Sequence, residues 1–272
     1  MRSETIKVVE QAVAILEQLA HHPGGTSITD LSESMGLGKS TVHRLLTALQ
    51  NHGLVEQEPS THRYGLGFRI VELSASPLKQ NSLVALSVPL MKRIGAVMSE
   101  TVSLHVLMDD RRLCVAEVES PSELKFTYGI GKSRPLHLGA SGKCILAYLP
   151  LQRQEELMQR LTQGAPATQG AVGLEELHQD LEQVRRQGYS ESVGEVARGV
   201  RGVAVPIFDR SGRVVASLGV VGPTFRLSES RLQEAVALLQ QMAAQISTNL
   251  GFDAQRADAM IKETAQSLRS PS

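Results

Sequence analysis

The sequence predicts an α+β protein in two parts: an N-terminal winged helix-turn-helix, then an antiparallel sheet flanked by helices. Helical apolar spacing and glycine turns dominate residues 1–68, whereas strand-like alternation mixed with long helices dominates residues 82–250. A small, polar stretch that contains proline separates the two near residues 74–81. A chain of 272 residues is also long enough for two domains.

Three short helices and a small hairpin are predicted in the first part. An apolar stripe with the spacing of one helix face is expected to be the buried face of the first helix: Ile6, Val9, Val13, Leu16 and Ala20. Ser27 is the expected N-cap of a second helix. A third helix runs from about Lys39 to His52, and residues 54–58 and 63–66 are two predicted strands around a turn.

The third helix carries side chains suited to reading DNA. In a helix-turn-helix it lies in the major groove, and its non-core face offers hydrogen-bond donors to bases and phosphates: Lys39, Ser40, Thr41, His43, Arg44 and Thr47. Its N-terminus favours a phosphate as well. On the predicted wing, His62 and Arg63 could contact the DNA backbone or the minor groove.

Charge alone does not decide for DNA. Acidic side chains slightly outnumber basic ones over residues 1–68, which counts against nucleic-acid binding. Residues 39–52, however, contain no acid. A winged module that binds another protein is the alternative that these residues leave open.

The second part alternates helices and strands. Its predicted helices cover residues 82–100, 141–149, 174–187 and 232–250, and its predicted strands cover residues 102–108, 113–119, 124–128, 203–208 and 213–221. This order lacks the strand–helix–strand alternation of a nucleotide-binding fold and predicts an antiparallel sheet faced by helices. The residues after Gly251 are expected to form a mobile or helical tail.

Composition excludes several classes of function. Basic and acidic side chains both number 28, so a grossly basic nucleic-acid coat is excluded while a local basic face is not. Two cysteines cannot supply a disulfide scaffold or a cysteine-built zinc site, and no metal or cofactor is expected. No apolar run is long enough to span a membrane, and the cytoplasm is the expected location.

Motifs for catalysis are weak. Three Gly-Lys pairs lack the second glycine of a phosphate-binding loop. A hydrolase built on His137, Ser141 and Cys144 is disfavoured, because Ser141 is outside a nucleophile elbow and Cys144 lies among apolar residues. The small residues 138–143 open a helix whose amides could bind a carboxylate, or they simply permit close packing of helix and sheet.

Several segments, in register over about residues 5–250, resemble the IclR family of bacterial transcriptional regulators. They are residues 13–16, 39–46, 64–67, 135–137, 141–143, 188–190, 203–208 and 222–223. The resemblance implies a winged helix-turn-helix over residues 1–68, a linker helix within 69–81 (near residues 68–76), a GAF-like effector domain over 82–250 and a tail over 251–272. It further implies homodimers or homotetramers that bind double-stranded, roughly palindromic operators.

The resemblance also implies a pocket for a small organic acid or aromatic metabolite. Carried over to this sequence, it would be formed by the amides of Ala140 and Ser141 and by Phe126, Ser192, Val200, Gly202, Gly219 and Val221. Arg134 could pair with an anion. Relatives that hold small keto acids have serines where this chain has Gly219 and Val221, so we expect a larger or less polar effector.

The function implied is a ligand-responsive regulator of a metabolic pathway, expected to be a repressor. Effector binding would change operator affinity to the extent that it favours one state of the protein. Two alternatives remain open from the residues: an enzyme that acts on small molecules, and a protein-interaction adaptor.

Overall fold

A computed structural model describes residues 7–22, 24–73, 82–163 and 173–253 of the chain. By internal contacts the chain divides into two compact units, Met1–Gln80 and Asn81–Ser272. Each unit has its own hydrophobic core, and each is described by itself below.

The first unit consists of three helices followed by a two-stranded antiparallel hairpin. Their bounds are α1 (Lys7–His21), α2 (Ile28–Met35), α3 (Lys39–Asn51), β1 (Val55–Gln57) and β2 (Tyr64–Leu66). The core takes Ile15 from α1, Leu31 from α2, Leu46 from α3 and Tyr64 from the hairpin. The predicted winged helix-turn-helix is therefore confirmed.

A capping box fixes the start of α2. The Ser27 hydroxyl accepts a hydrogen bond from the Asp30 amide at 3.2 Å, and the Asp30 carboxylate accepts one from the Ser27 amide at 3.4 Å. Gly36 ends the helix with φ of 62°, a left-handed conformation that glycine adopts without strain. The predicted N-cap is confirmed, and α2 is capped at both ends.

The predicted buried face of α1 is wrong. Ile15 and Leu19 are the buried side chains of this helix. The predicted stripe, apart from Ile6, which lies outside the described residues, is exposed or only partly buried: Val9, Val13, Leu16 and Ala20. Ile15 and Leu19 pack against the core with Ala12 and Leu16 beside them, which leaves Val9 and Val13 exposed.

The second unit is built on one antiparallel sheet of six strands in the order β5-β4-β3-β8-β7-β6. In chain order the strands are β3 (Thr101–Met108), β4 (Arg111–Val118), β5 (Ser133–Pro135), β6 (Ser190–Val193), β7 (Val200–Phe208) and β8 (Val214–Pro223). The helices are α4 (Ser82–Met98), α5 (Gly139–Ala147), α6 (Leu151–Gln163), α7 (Leu174–Gln187) and α8 (Glu229–Asn249). The predicted class, an antiparallel sheet flanked by helices, is confirmed.

Helices cover both faces of this sheet. One face packs against α4 and α8 in a single core to which Met91, Leu104, Leu218 and Leu239 belong. Because side chains alternate along a strand, the intervening residues point to the opposite face. There the Ser217 hydroxyl donates to the Ser141 carbonyl at 3.0 Å, which places α5 against this second face.

The predicted strand over residues 124–128 is wrong. The edge strand beside β4 is β5, which begins at residue 133. The Glu117 carboxylate accepts hydrogen bonds from the amides of Tyr128 and Gly129, at 2.7 and 3.2 Å. Because a side chain binds these amides, the segment is held against β4 without forming a ladder.

Besides β5, two described elements of the second unit were missing from the prediction, α6 and β6. Leu157 and Met158 of α6 pack with α5 and α7 in a second small core. β6 pairs with β7 as the short outer strand, Ser190 facing Ala204. α5 also begins two residues earlier than predicted, at Gly139.

The linker and tail predictions fall largely outside the described residues. Residues 69–73 are helical, and residues 74–81, which include the rest of the predicted linker helix, lie outside. Of the tail, residues 251–253 are described, and the Phe252 ring stacks on Phe208 at 5.2 Å between centroids. The proposed linker and tail stay predictions.

Candidate DNA-binding and effector sites

The exposed face of α3 is the candidate DNA-binding surface. Val42, Leu46 and Leu49 bury one side of the helix against the core. The six side chains predicted to meet DNA are all exposed on the remaining surface of the same helix: Lys39, Ser40, Thr41, His43, Arg44 and Thr47. α3 contains no acidic residue, and its N-cap, Gly38, places no side chain over the first amides. The start of α3 is therefore suited to a phosphate.

The two predicted wing residues differ in whether their side chains are already bound within the protein. His62 is exposed in the hairpin turn and has φ of 54°. Arg63 is held against the body of the unit: its Nε donates to the Gly25 carbonyl at 3.1 Å, and its Nη2 lies 3.8 Å from Asp30. α3 thus offers more unengaged donor groups than the Arg63 side of the wing.

The structure brings most of the predicted effector residues to the sheet face under α5. Phe126, Val200 and Val221 pack in one cluster with Cys114 and Tyr128. Gly202 pairs with Val221 across β7 and β8. These residues form the apolar wall of the candidate effector site.

The start of α5 forms a second wall. Ala140 and Ser141 are buried there. Gly219 permits the close approach of α5 to β8, since an added Cβ would lie 3.3 Å from the Ser141 Oγ. Ser192 lies opposite Gly202 across β6 and β7. It also lines a polar hollow at the edge strand together with Lys143 and Asp180.

Arg112, which sequence reasoning missed, is the most unusual residue of this site. It is 0% exposed, and none of its three side-chain nitrogens has a hydrogen-bond partner among the described residues. Its guanidinium carbon lies 5.0 Å from the centre of the Tyr128 ring. Burial lowers the pKa of Arg112, and the neighbouring Tyr128 opposes this shift. The predicted anion-binding residue, Arg134, is its partner across β4 and β5.

Two further polar side chains, Ser103 and His105, face the same region. Both are buried, and within the described part of the chain neither the Ser103 hydroxyl nor the His105 Nδ1 has a hydrogen-bond partner. The His105 ring meets the Tyr128 ring edge-on at 4.7 Å. Burial, and then the charges of Arg112 and Arg134, hold the pKa of His105 well below its usual value, so this ring is neutral.

An ion-pair network holds the N-terminus of α5. The Glu195 carboxylate accepts a hydrogen bond from the Gly139 amide at 2.9 Å and another from Lys143 Nζ at 2.8 Å. Lys143 also donates to Asp180 at 2.8 Å. Burial by itself lowers the pKa of Lys143, but the charge and hydrogen bonds of Glu195 and Asp180 outweigh it and raise the pKa. The network ties the loop that carries Glu195 to the start of α5.

A signal for Arg112 was present in the sequence. Arg111 and Arg112 are adjacent in a strand, so their side chains must point to opposite faces of the sheet. Arg111 is exposed and donates to Ser133 at 3.0 Å, and its neighbour faces inward. An arginine in the inward register of a flanked sheet is a buried charge that needs a partner.

The chemistry for a thiol or metal enzyme is not assembled here. Burial raises the pKa of the Cys114 thiol to about 12 and raises that of Cys144 as well, so neither is a thiolate at neutral pH. Among the described residues no group of three His, Cys, Asp or Glu could hold a metal ion. No helix in the described ranges is long and apolar enough to cross a membrane.

Comparison with known families identifies the chain. The pattern described as "IclR helix-turn-helix domain" matches residues 8–59, and that described as "Bacterial transcriptional regulator IclR C-terminal" matches residues 75–248. The chain belongs to the IclR family. It is a ligand-responsive DNA-binding transcriptional regulator and not an enzyme, so the expectation from the resemblance is confirmed.

Relatives in this family are similar over nearly the whole chain. The HTH-type transcriptional regulator KdgR of Escherichia coli strain K12 is 32% identical over 249 residues, which cover 92% of this chain and 94% of KdgR. The HTH-type transcriptional repressor AllR of the same strain is 31% identical over 253 residues, 91% of this chain and 92% of AllR. The crystal structure of an IclR transcriptional regulator from Alicyclobacillus acidocaldarius has a TM-score of 0.82 and 27% identity, covering 91% of this chain and 100% of that one.

Proposed function

We propose that this regulator binds operator DNA through the exposed face of α3 and binds its effector on the sheet face under α5. The observation that carries the DNA half is the acid-free, exposed surface of α3 with its open N-terminus. Lys39 and Ser40 lie at that N-terminus, where phosphate is favoured, and Arg44 is one turn further on, where it meets a base edge.

The remaining DNA contacts follow from position. Thr41, His43 and Thr47 lie on the exposed surface of α3, and we assign them to base edges or to the adjacent backbone. His62, exposed at the hairpin turn, is assigned to a backbone phosphate. Arg63 would have to leave the Gly25 carbonyl in order to reach DNA.

The effector half rests on the residues around α5. Ala140 and Ser141 with the cluster of Phe126, Val200 and Val221 would form the walls. Gly202 and Gly219 lie between them on β7 and β8, where Gly219 permits α5 to approach the sheet closely. Ser192 contributes from the edge strand, and Arg134 adds positive charge. The ligand is a small organic acid or aromatic metabolite, because cationic and apolar groups meet at one place.

A homodimer, alone or paired into a homotetramer, is the proposed assembly. The exposed stripe on α1, formed by Val8, Val9 and Val13, is apolar enough to pair with a second copy. Two copies related by a two-fold axis would present two α3 helices to a palindromic operator. Repression in the cytoplasm is the proposed mode, in keeping with the name of the similar AllR repressor.

Operator capture with one arginine variant tests the DNA half. Genomic fragments retained by the purified chain are identified, and a mobility-shift titration compares Arg44→Ala with Arg69→Ala. Arg69 is half-exposed in the same unit and pairs with Glu72. Its amide donates to the Gly53 carbonyl just beyond the C-terminal end of α3, whereas Lys39 and Ser40 lie at the other end of that helix. Loss of a bidentate base contact costs about 1–3 kcal/mol, so Arg44→Ala should weaken binding roughly 5- to 150-fold while Arg69→Ala binds as the parent does. Equal binding by both variants would remove α3 from the proposed surface.

A further inference from the structure

Arg112 is a buried cation without a partner, and that requires an explanation. Its side chain is 0% exposed, and its Nε, Nη1 and Nη2 have no hydrogen-bond partner among the described residues. A guanidinium keeps its proton in proteins, so burial does not neutralise it. Charged groups inside proteins are ordinarily paired or hydrogen-bonded, because desolvation of an unpaired charge is costly.

The surroundings of Arg112 are positive. Arg134 faces it across β4 and β5. The N-terminus of α5 is adjacent, since an added Cβ at Gly139 would lie 3.2 Å from Arg112 Nη2. A helix N-terminus carries a partial positive charge, so two cations and a helix dipole converge on one point.

Three carboxylates near this region are engaged by other groups, and the first, Asp110, pairs with Arg153 and Arg160. Glu195 accepts from the Gly139 amide and from Lys143. Glu117 accepts from the amides of Tyr128 and Gly129. None of the three forms an ion pair with Arg112. The positive charge of Arg112 therefore has no anionic partner among the described residues and is available to a negatively charged ligand.

Tyr128 is a close neighbour of the guanidinium, whose carbon lies 5.0 Å from the ring centre, which is a cation–π distance. Its charge and a side-chain hydrogen-bond interaction also oppose the lowering of the Arg112 pKa. A guanidinium has five N–H donors, so a single phenol oxygen leaves most of them available. Those N–H groups form the fork that matches the two oxygens of a carboxylate.

We propose that Arg112 binds the acid group of the effector, and that Ser103 and His105 bind a second polar group on the same molecule. This inference rests on the proposed effector site and names the residues that choose its ligand. His105 lies opposite Cys114, two residues along β4 from Arg112, and Ser103 is the next residue of β3 on the same face. The effector is accordingly a carboxylate that also carries a hydroxyl or carbonyl oxygen.

This assignment changes the expected chemistry of the site. Gly219 and Val221 supply no hydroxyl, but Ser103 lies directly opposite Gly219 on the neighbouring strand. The hydroxyl is therefore supplied by β3, which is the neighbour of β4, the strand that carries Arg112. A polar effector is therefore favoured over an apolar one.

The first test compares acids with their neutral amides on the unmodified chain. The probes are propionate, lactate, benzoate, 4-hydroxybenzoate and D-gluconate, each against its primary amide, and the readout is the melting temperature with calorimetric titration of those that raise it. We expect at least one hydroxylated acid to stabilise the protein and its amide to bind about 10- to 100-fold more weakly, the effect of losing charge-assisted hydrogen bonds. If no acid in the panel raises the melting temperature more, or binds more tightly, than its amide, the proposal is overturned.

The second test uses adjacent arginines as a matched pair. Arg112→Met should lose the response to the acid, whereas Arg111→Met, on the outer face of the same strand, should respond as the parent does. Arg112→Lys keeps the charge without the fork and should respond more weakly than the parent. Without ligand, Arg112→Met should melt at the parent's temperature or above it, because an unpaired buried charge has been removed.

Two results of the second test would contradict the assignment. An acid response that survives in Arg112→Met places the acid group elsewhere. A large fall in the melting temperature of unliganded Arg112→Met, with Arg111→Met unaffected, assigns Arg112 to the fold instead. If the proposed function is wrong, the unmodified chain will retain no genomic fragment. That result is independent of the comparison of acids with amides, which still tests the role of Arg112.

Discussion

Replacing Lys143 with Met tests the network that holds the start of α5. Lys143 is 5% exposed, and its Nζ lies 2.8 Å from oxygens of both Glu195 and Asp180. The Met side chain has a similar length and leaves the packing in place while it removes the charge. We expect the second unit to lose stability, because Glu195, only 16% exposed, would keep its charge without its cation.

The size of the loss follows from the burial of each partner. Removing one member of a buried ion pair costs about 3–5 kcal/mol, whereas an exposed pair contributes about 0–1 kcal/mol. Asp180 is 37% exposed and adds little. Because Glu195 keeps its hydrogen bond from the Gly139 amide, we expect a loss of stability at the lower end of this 3–5 kcal/mol range, about 3 kcal/mol. For a unit of this size that corresponds to a fall in melting temperature of roughly 6–12 °C.

A second lysine in the same unit supplies the control. Lys125 pairs with Glu119 at 2.6 Å, with 35% and 56% of the two side chains exposed, so Lys125→Met should cost at most about 1 kcal/mol. Urea denaturation followed by tyrosine emission measures both variants. Adding Glu195→Gln to Lys143→Met should recover part of the loss, because the uncompensated carboxylate is then gone. Equal destabilisation by Lys143→Met and Lys125→Met would refute the reasoning.

Two predictions concern pH and close packing. Because the pKa of His105 is depressed in the folded protein, only the unfolded chain takes up a proton at this residue below about pH 6.5. The free energy of unfolding should therefore fall with decreasing pH, by up to about 1.4 kcal/mol per pH unit. His105→Gln should reduce this dependence in melting curves recorded from pH 7.5 to 5.5. Parallel curves would contradict it. Gly142→Ala should destabilise the second unit, because the added Cβ would lie 2.4 Å from the Leu136 carbonyl oxygen, whereas Gly65→Ala meets nothing within 4 Å. The melting temperatures of the two variants test this prediction, and an equal change in both would contradict it.

Elements with strong local signals could be predicted from the sequence. Ser27 begins α2 by chemistry that acts within a few residues, and this start was placed correctly. The hairpin of β7 and β8 was found from its alternation around a turn at residues 209–212. The predicted strand over 124–128 failed for a non-local reason, since Glu117, on a different strand, binds its amides.

Contacts between distant segments also limited what could be predicted about the candidate site. The predicted strand began at residue 113, so Arg112 lay outside it. Only the three-dimensional arrangement places Arg112 in β4 and shows that none of its side-chain nitrogens has a hydrogen-bond partner among the described residues. Glu195 and Lys143, 52 residues apart, meet only because β6 and β7 return the chain to α5. Ion pairing between distant segments is not encoded in local spacing, so motif matching found the small residues 138–143 and missed the charges around them.

An unpaired buried cation gives a regulator a means of response. A ligand shifts an equilibrium only by the difference in its affinity for the two states. Without ligand, Arg112 carries a desolvation cost that no described residue offsets. A carboxylate that meets Arg112 removes this cost in the state where Tyr128 and the start of α5 surround the site, and it gains nothing comparable in a state where water already solvates the guanidinium. If Arg112 binds the acid group of the effector as proposed, the same buried charge that costs the unliganded protein stability would supply the differential affinity for a ligand-dependent change in operator binding.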